Sequence, residues 1–183
     1  ATPNRGEKTA ATSHKQNVVR NCILIILYKR KLMSDNWIRI IPDDLEYIPD
    51  QHIQKKLLSY VKQIAPKSEE IESIEYNKIQ FIDCGTNLEV IKCPLCGSNL
   101  DIEWWRNQLD EQYDDEGVNI VDFIIPCCKG ITDISKLQYD FDQGFSKYCL
   151  EMMNPDIGLL SKVQIVEIET IMGKKIKVIY QHI

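Results

Sequence analysis

Hydrophobic and polar positions follow two periods along this chain. "WIRIIP", residues 37–42, reads as a first strand that stops at Pro42. From 51 to 64, Ile53, Leu57, Tyr60, Val61 and Ile64 recur at helical spacing; Asp50 stands at the N-cap and Pro66 closes the end. "SIEYNKIQFIDCG", 73–85, reads as a strand with Ile79, Phe81 and Cys84 inward, and "NLEVIKC", 87–93, as a short strand leading to Cys93. A helix is predicted over 101–115, where Ile102, Trp105, Leu109 and Tyr113 form one stripe. "GVNIVDFIIPCC", 117–128, and "DISKLQYDF", 133–141, read as strands.

"QGFSKYCLEMMNP", 143–155, reads as a helix that buries Phe145, Cys149 and Met152 and ends at Asn154-Pro155. Ser161 and Gln164 form a capping box for a helix over 162–172, Gly173 serves as its C-terminal glycine, and "KIKVIYQHI" closes as a strand. These elements predict an α+β fold: one compact domain with a mixed or antiparallel sheet, about four helices and a zinc-ribbon-like excursion over about 84–130.

Residues 1–32 break the pattern. "ATPNRGEKTAATSHKQNV" has no periodicity, and Met33-Ser-Asp-Asn looks like the start of a protein, so 1–32 reads as an expression-derived leader or a misassigned extension and 33–183 as the domain. The alternative is a genuine basic arm. The apolar run "CILIILY", 22–28, is too short to cross a bilayer, which takes roughly 20 residues, and the Lys29-Arg30-Lys31 triplet after it does not suit a signal peptide.

Charge sharpens the division. Residues 1–32 hold seven basic groups and one acid, leaving 15 of the chain's 22 basic residues and 26 of its 27 acidic residues in 33–183, a net of −11. Such a body repels nucleic-acid phosphates and suits a basic partner. Between 97 and 126 eight acids face one base, Arg106; that acidic excursion, with Trp104 or Trp105 at its root, the other of the pair facing the core, and Asp110, Glu111, Asp114 and Asp115 along it, is the candidate partner surface.

The chemistry is concentrated in the cysteines. There are seven, and four fall in two clusters, Cys93-Pro-Leu-Cys96-Gly and Cys127-Cys128. A C-x2-C turn aims two sulfurs at one point, and the glycine after it lets backbone N–H groups curl toward them. Cys93, Cys96, Cys127 and Cys128 are therefore the candidate ligands of a structural zinc ion. Successive residues of a strand point to opposite faces, so Cys127 and Cys128 can share a metal only if the chain turns there; Pro126 and Gly130 permit it. Cys84 is the reserve ligand and His52 a weaker one. Without an export signal, this cysteine usage suits reduced thiols in the cytoplasm. The competing reading, a Cys-Pro-x-Cys redox enzyme, wants a helix beginning at the motif, whereas Gly97-Ser98-Asn99 predicts a turn.

"MSDNWIRIIPDDLEYIP", "FIDCGTN", "CPLCGSNLDIEWW", "IIPCCK", "DISKLQYDFDQGFSKYCLEMMNP" and "IKVIYQHI" together resemble a family of small, largely uncharacterised bacterial proteins. The resemblance covers nearly all of 33–183 and has no counterpart for 1–32. It implies a compact single domain, paired cysteines as a zinc-ribbon-like feature, and a setting near bacterial toxin or stress loci, without an activity. The function expected is a non-catalytic acidic interaction module, immunity- or antitoxin-like, with a structural zinc. The alternatives are a zinc-ribbon nucleic-acid binder and a thiol redox enzyme. No nucleophile–base pair, phosphate loop or membrane span is read from the chain.

Overall fold

The computed structural model describes residues 35–183. The expectations placed on residues 1–32, including the basic arm, Cys22 and the "CILIILY" run, lie outside the described residues.

Four strands form the main sheet: β1 (Asn36–Pro42), β2 (Glu70–Ile82), β10 (Gly144–Met153) and β11 (Ile176–His182). Their spatial order is β11-β1-β10-β2, and each pairing is antiparallel. Alternation along β1 puts Ile38 and Ile40 on one face. Tyr148, Leu150 and Met152 of β10 join them there, all fully buried. Helices α1 (Gln51–Ile64) and α3 (Lys162–Met172) cover that face with Leu57, Val61, Ile168 and Met172. Burying each such side chain contributes about 1.5–3 kcal/mol, which makes this layer a large source of stability. The opposite face carries Ile41, Cys149 and Ile179, packed with Ile82 and Cys84.

The helix ends follow the sequence signals. Asp50 accepts from the N–H groups of His52 and Ile53, each at 2.8 Å. Ser161 and Gln164 close a reciprocal capping box, and Gly173 takes the left-handed conformation, φ 72°, that ends α3.

The segment 143–155 corrects the sequence reading: it is not a helix but β10, the central strand, paired with β1 on one side and β2 on the other. Being buried on both faces, it shows no polar alternation, and its Met, Leu, Lys and Glu residues carry helix propensity that the pairing overrides. Three helices are therefore present among the described residues.

Residues 83–143, between β2 and β10, form a lobe of different construction. Its strands are pairs of residues: β3 (Ile91–Lys92), β4 (Asn99–Leu100), β5 (Tyr113–Asp114), β6 (Gly117–Val118), β7 (Phe123–Ile124), β8 (Ile131–Thr132) and β9 (Gln138–Tyr139). The single strands expected over 117–128 and 133–141 are thus broken up. Pro126 cannot supply a ladder N–H, and Asp133 caps a 3-10 turn, Ile134–Lys136, through the Ser135 N–H. Helix α2 (Ile102–Gln112) crosses the lobe, capped by Asp101, whose carboxylate accepts from the Trp104 N–H at 2.8 Å. It ends three residues earlier than expected, because 113–118 forms the β5–β6 hairpin.

The lobe and the sheet meet in one aromatic core. Trp105 stands edge-on to Phe81 of β2, ring centroids 5.7 Å apart, and Phe81 lies 5.0 Å from Phe145 of β10. Ile91, Leu100, Ile125 and Ile134 fill in around them.

Candidate metal centre

Two loops at one rim of the lobe bring the four cysteines together. In the first, 93–98, the Cys93 N–H donates to Ser98 O and the Gly97 N–H to Cys93 O, both at 2.9 Å. Gly97 sits at φ 73°, so the chain reverses immediately after Cys96. In the second, 125–130, the Ile125 N–H donates to Gly130 O at 2.9 Å and the Lys129 N–H to Ile125 O at 3.0 Å. Lys129 takes the left-handed region at φ 59°. The two loops are the same turn built twice, "CPLCGS" and "IPCCKG", each with proline second and cysteine fourth.

This equivalence resolves the adjacent cysteines. Cys128 matches Cys96, while Cys127 takes the place of Leu95. The first position of the second loop is buried Ile125 instead of cysteine, and the loop's second sulfur comes from Cys127, two positions later. The chain turns at 126–130, so neighbouring side chains need not diverge as they would in a strand.

The four sulfur atoms all lie within 4.8 Å of one another. Cys93 Sγ is 3.8 Å from Cys128 Sγ, and Cys96 Sγ is 3.4 Å from Cys127 Sγ. Tetrahedral thiolate coordination at about 2.3 Å per bond sets an S···S edge of about 3.8 Å, so the arrangement suits a thiolate-bound metal ion. Cys93 is fully buried against the lobe core, while Cys96, Cys127 and Cys128 are exposed. The Leu95 N–H points at Cys93 Sγ from 3.4 Å. The Ser98 hydroxyl, 3.3 Å from Cys96 Sγ, then the Ser98 backbone and the Cys127 thiol, together lower the Cys96 pKa to about 6. Cys127 is pushed up to about 12, first by desolvation and then by the thiols of Cys96 and Cys93. Once one thiolate forms, its neighbours hold their protons; a cation in the cluster would relieve that opposition.

The reserve ligands stand elsewhere. Cys84 is buried, donates to Gln143 Oε1 at 3.4 Å and is raised chiefly by desolvation. His52 is exposed in the first turn of α1. No helix begins at Cys96; the chain turns at Gly97 into β4, so the helix-terminus device that activates redox Cys-x-x-Cys thiols is not built at this motif.

The predicted partner surface separates into two kinds of residue. Trp105 is 5% exposed and belongs to the core, with Nε1 donating to the Tyr139 hydroxyl at 3.2 Å. Of the two tryptophans it is the one whose indole is committed to the interior. Trp104 is half-buried, edge-on to Phe123 at 5.6 Å. Asp110, Glu111 and Asp115 are exposed. Asp114 is also at the surface but fully engaged: its carboxylate pairs with the Lys78 ammonium and accepts from Asn119 Nδ2 at 2.8 Å, the Glu116 N–H at 3.0 Å and the Gly117 N–H at 3.2 Å. Lys78, followed by Asn119, holds that carboxyl well below the usual range. Asp114 ties the β5–β6 hairpin to β2, a structural role that the sequence reading missed; the signal was the Asp-x-x-Gly turn spacing at 114–117.

Among the described residues, no helix is long and apolar enough to cross a membrane. The chain matches no protein-family model, no curated protein and no solved structure among those compared. The functional reading therefore rests on the cysteine cluster and its surroundings.

Proposed function

We propose that this protein is a non-catalytic, acidic interaction module of the cytoplasm, immunity- or antitoxin-like, whose Cys93, Cys96, Cys127 and Cys128 hold one structural zinc ion and whose partner is a basic protein. The observation that carries the reading is the convergence of four sulfurs, from two loops thirty residues apart, within 4.8 Å. Four thiolates around zinc fill its coordination, leave no open position for a substrate, and place the metal in a supporting role. What such a centre supports is the intervening chain: α2 and the hairpin after it are tied at both ends, with Asp110, Glu111 and Asp115 facing solvent. A braced surface loses less entropy on binding than a free one, and its charge speeds encounter with a cationic partner.

The metal is tested by elemental analysis of protein purified under reducing conditions without chelators, where about one zinc per chain is expected. Protein free of metal would overturn this part. The partner is tested by capture from the protein's own host, where a specific basic protein is expected and RNA would favour the nucleic-acid alternative. Reversing Asp110, Glu111 and Asp115 together should slow association strongly. Reversing Asp43, Glu89 and Glu167 should do little, and equal effects would reduce the interaction to overall charge.

A further inference from the structure

The outer edge of β2 is treated differently along its length. At its C-terminal half the β5–β6 hairpin lies against it. Gln80 Nε2 donates to Glu116 O at 2.6 Å, Lys78 pairs with Asp114, and a Cβ added to Gly117 would collide with Ile79 O. At its N-terminal half, Glu70–Tyr76, no strand among the described residues pairs with that edge. An unpaired strand edge presents a row of N–H and C=O groups that another extended chain can join.

The open half borders a groove. Helix α1 runs beside it, and two adjoining hollows of about 630 and 470 Å³ share Lys62 and Ile71. Leu58 and Ile71 give the groove an apolar floor. The edge residues divide by alternation. Ile71 packs into the helix-side core, and the Ser73 hydroxyl lies on the same side, 2.9 Å from the Tyr148 hydroxyl and 3.0 Å from Gln54 Oε1. Glu70 and Glu72 point to the other face, where they stand opposite Met153 and Glu151 of β10. Both are exposed, and no ion pair engages either among the described residues.

That face holds more negative charge than it compensates. Arg39 Nε lies 3.1 Å from Glu151 Oε2, but Glu72 stands directly across from the same carboxylate. Like charges opposite one another in a ladder are destabilising. Burial raises the Glu151 carboxyl above its ordinary value; Arg39 opposes this, and Glu72 and Glu70 add to it. Pairing two copies of this edge would bring the glutamates of both onto one ladder, which disfavours a second copy as occupant. A cationic strand has the opposite effect, since its charges would sit beside Glu70 and Glu72.

We propose that Glu70–Tyr76 is a strand-addition site for an extended basic segment of a partner protein. Lysine or arginine at alternate positions would face Glu70 and Glu72, and apolar residues between them would face Ile71 and Leu58. Main-chain hydrogen bonds supply affinity in this mode, and the alternating side chains supply selection. The inference deepens the basic-partner reading and rests on it for the nature of the partner, while naming a contact separate from the acidic helix.

The probe is an end-blocked nonapeptide of alternating lysine and valine, added to the full chain. Hydrogen exchange should slow at amides within Glu70–Tyr76, and affinity should fall with salt. Two versions N-methylated on opposite sets of alternate residues separate ladder formation from charge attraction: one of them should lose binding. Glu70→Lys with Glu72→Lys should weaken the lysine peptide at least about fivefold and create binding for an alternating glutamate–valine peptide. Equal binding of both methylated peptides, or exchange unchanged at Glu70–Tyr76, overturns the proposal. Those two arms use the natural sequence, so they decide the matter even if the double variant fails to fold. A basic partner that is lost on reversal of Asp110, Glu111 and Asp115, with no protection along β2, would sink the strand-addition site and leave the proposed function standing.

Discussion

The four-stranded sheet with its two helices and the lobe at 83–143 reach order by different routes. In the first, long strands pair over much of their length, and buried side chains from β1, β10, α1 and α3 interlock on one face. In the second, the strands are two residues long and cannot hold a sheet by backbone pairing alone. What fixes the lobe is a set of point constraints: the four-cysteine cluster at one end, Trp105 wedged against Phe81 in the middle, and Asp114 on Lys78 at the hairpin. These constraints supplement the lobe's buried cluster around Ile91, Leu100, Ile125 and Ile134. The contrast teaches that the lobe's shape depends on a few atoms, whereas the sheet's depends on area.

The sharpest way to break the comparison is to remove the metal. Chelation, or Cys93→Ser, should release the proposed zinc and abolish slow hydrogen exchange at Cys93, Gly97 and Lys129, while amides of β1 and β10 stay protected. Structural zinc sites in isolated fingers are worth about 10–16 kcal/mol to folding, so this should be the largest effect. Loss of protection across β1 and β10 as well would show that the two regions fold as one. The converse experiment is Leu150→Ala. Leu150 is fully buried in the sheet–helix core, and its truncation should lower global stability by about 2–5 kcal/mol in denaturant titration. Metal content of the folded variant should not change. A smaller test of the same kind is Ser161→Ala, which removes the α3 cap and should cost about 1 kcal/mol with no effect on the lobe.

The same contrast governs what could be read from the residues. The helices at 51–64 and 162–172 were legible because caps and stripes are local: Asp50, Ser161, Gln164 and Gly173 each act within a few residues. Half of the cysteine cluster was legible for the same reason, as the C-x2-C turn at Cys93 and Cys96 advertises itself. β10 was not, because a strand covered on both faces loses the alternation that reveals strands, and only its two neighbours make it one. The lobe's strands fall below the length at which any period can be seen. The duplication of its turns was present as "CPLCGS" and "IPCCKG", but with cysteine shared only at the fourth position it is hidden until the matching hydrogen bonds at 93–98 and 125–130 are compared. The stripe with Ile102 and Leu109 pointed Trp105 inward, but its contacts with Phe81 and Tyr139, which lie on other elements, could not be read from the residues.

The finest test separates the regions by the sign of their response to acid. Asp114 in the hairpin has a folded pKa below its unfolded value of about 3.9, first because of Lys78 and then Asn119. Its contribution is therefore present above the unfolded value and is lost as pH falls through the folded one. Glu151 in the sheet is the reverse. Burial, only partly opposed by Arg39, raises its pKa, so its ionised form carries a penalty at neutral pH that is relieved as pH falls through the raised value. Lowering the pH from 7 should first ease the strain at Glu151 and then, below about 4, loosen the hairpin. The measurement is amide exchange at Glu116 and Gly117, whose N–H groups Asp114 holds, compared with amides of β10 across the same titration. Asp114→Asn should remove the acid-dependent change at Glu116 and Gly117, bring their neutral-pH exchange toward the wild-type acid value, and leave β10 unchanged. If β10 and the hairpin instead lose protection together, with the same midpoint, the point-constraint account of the lobe fails, and the Asp114–Lys78 contact is only one among many links in a single cooperative unit.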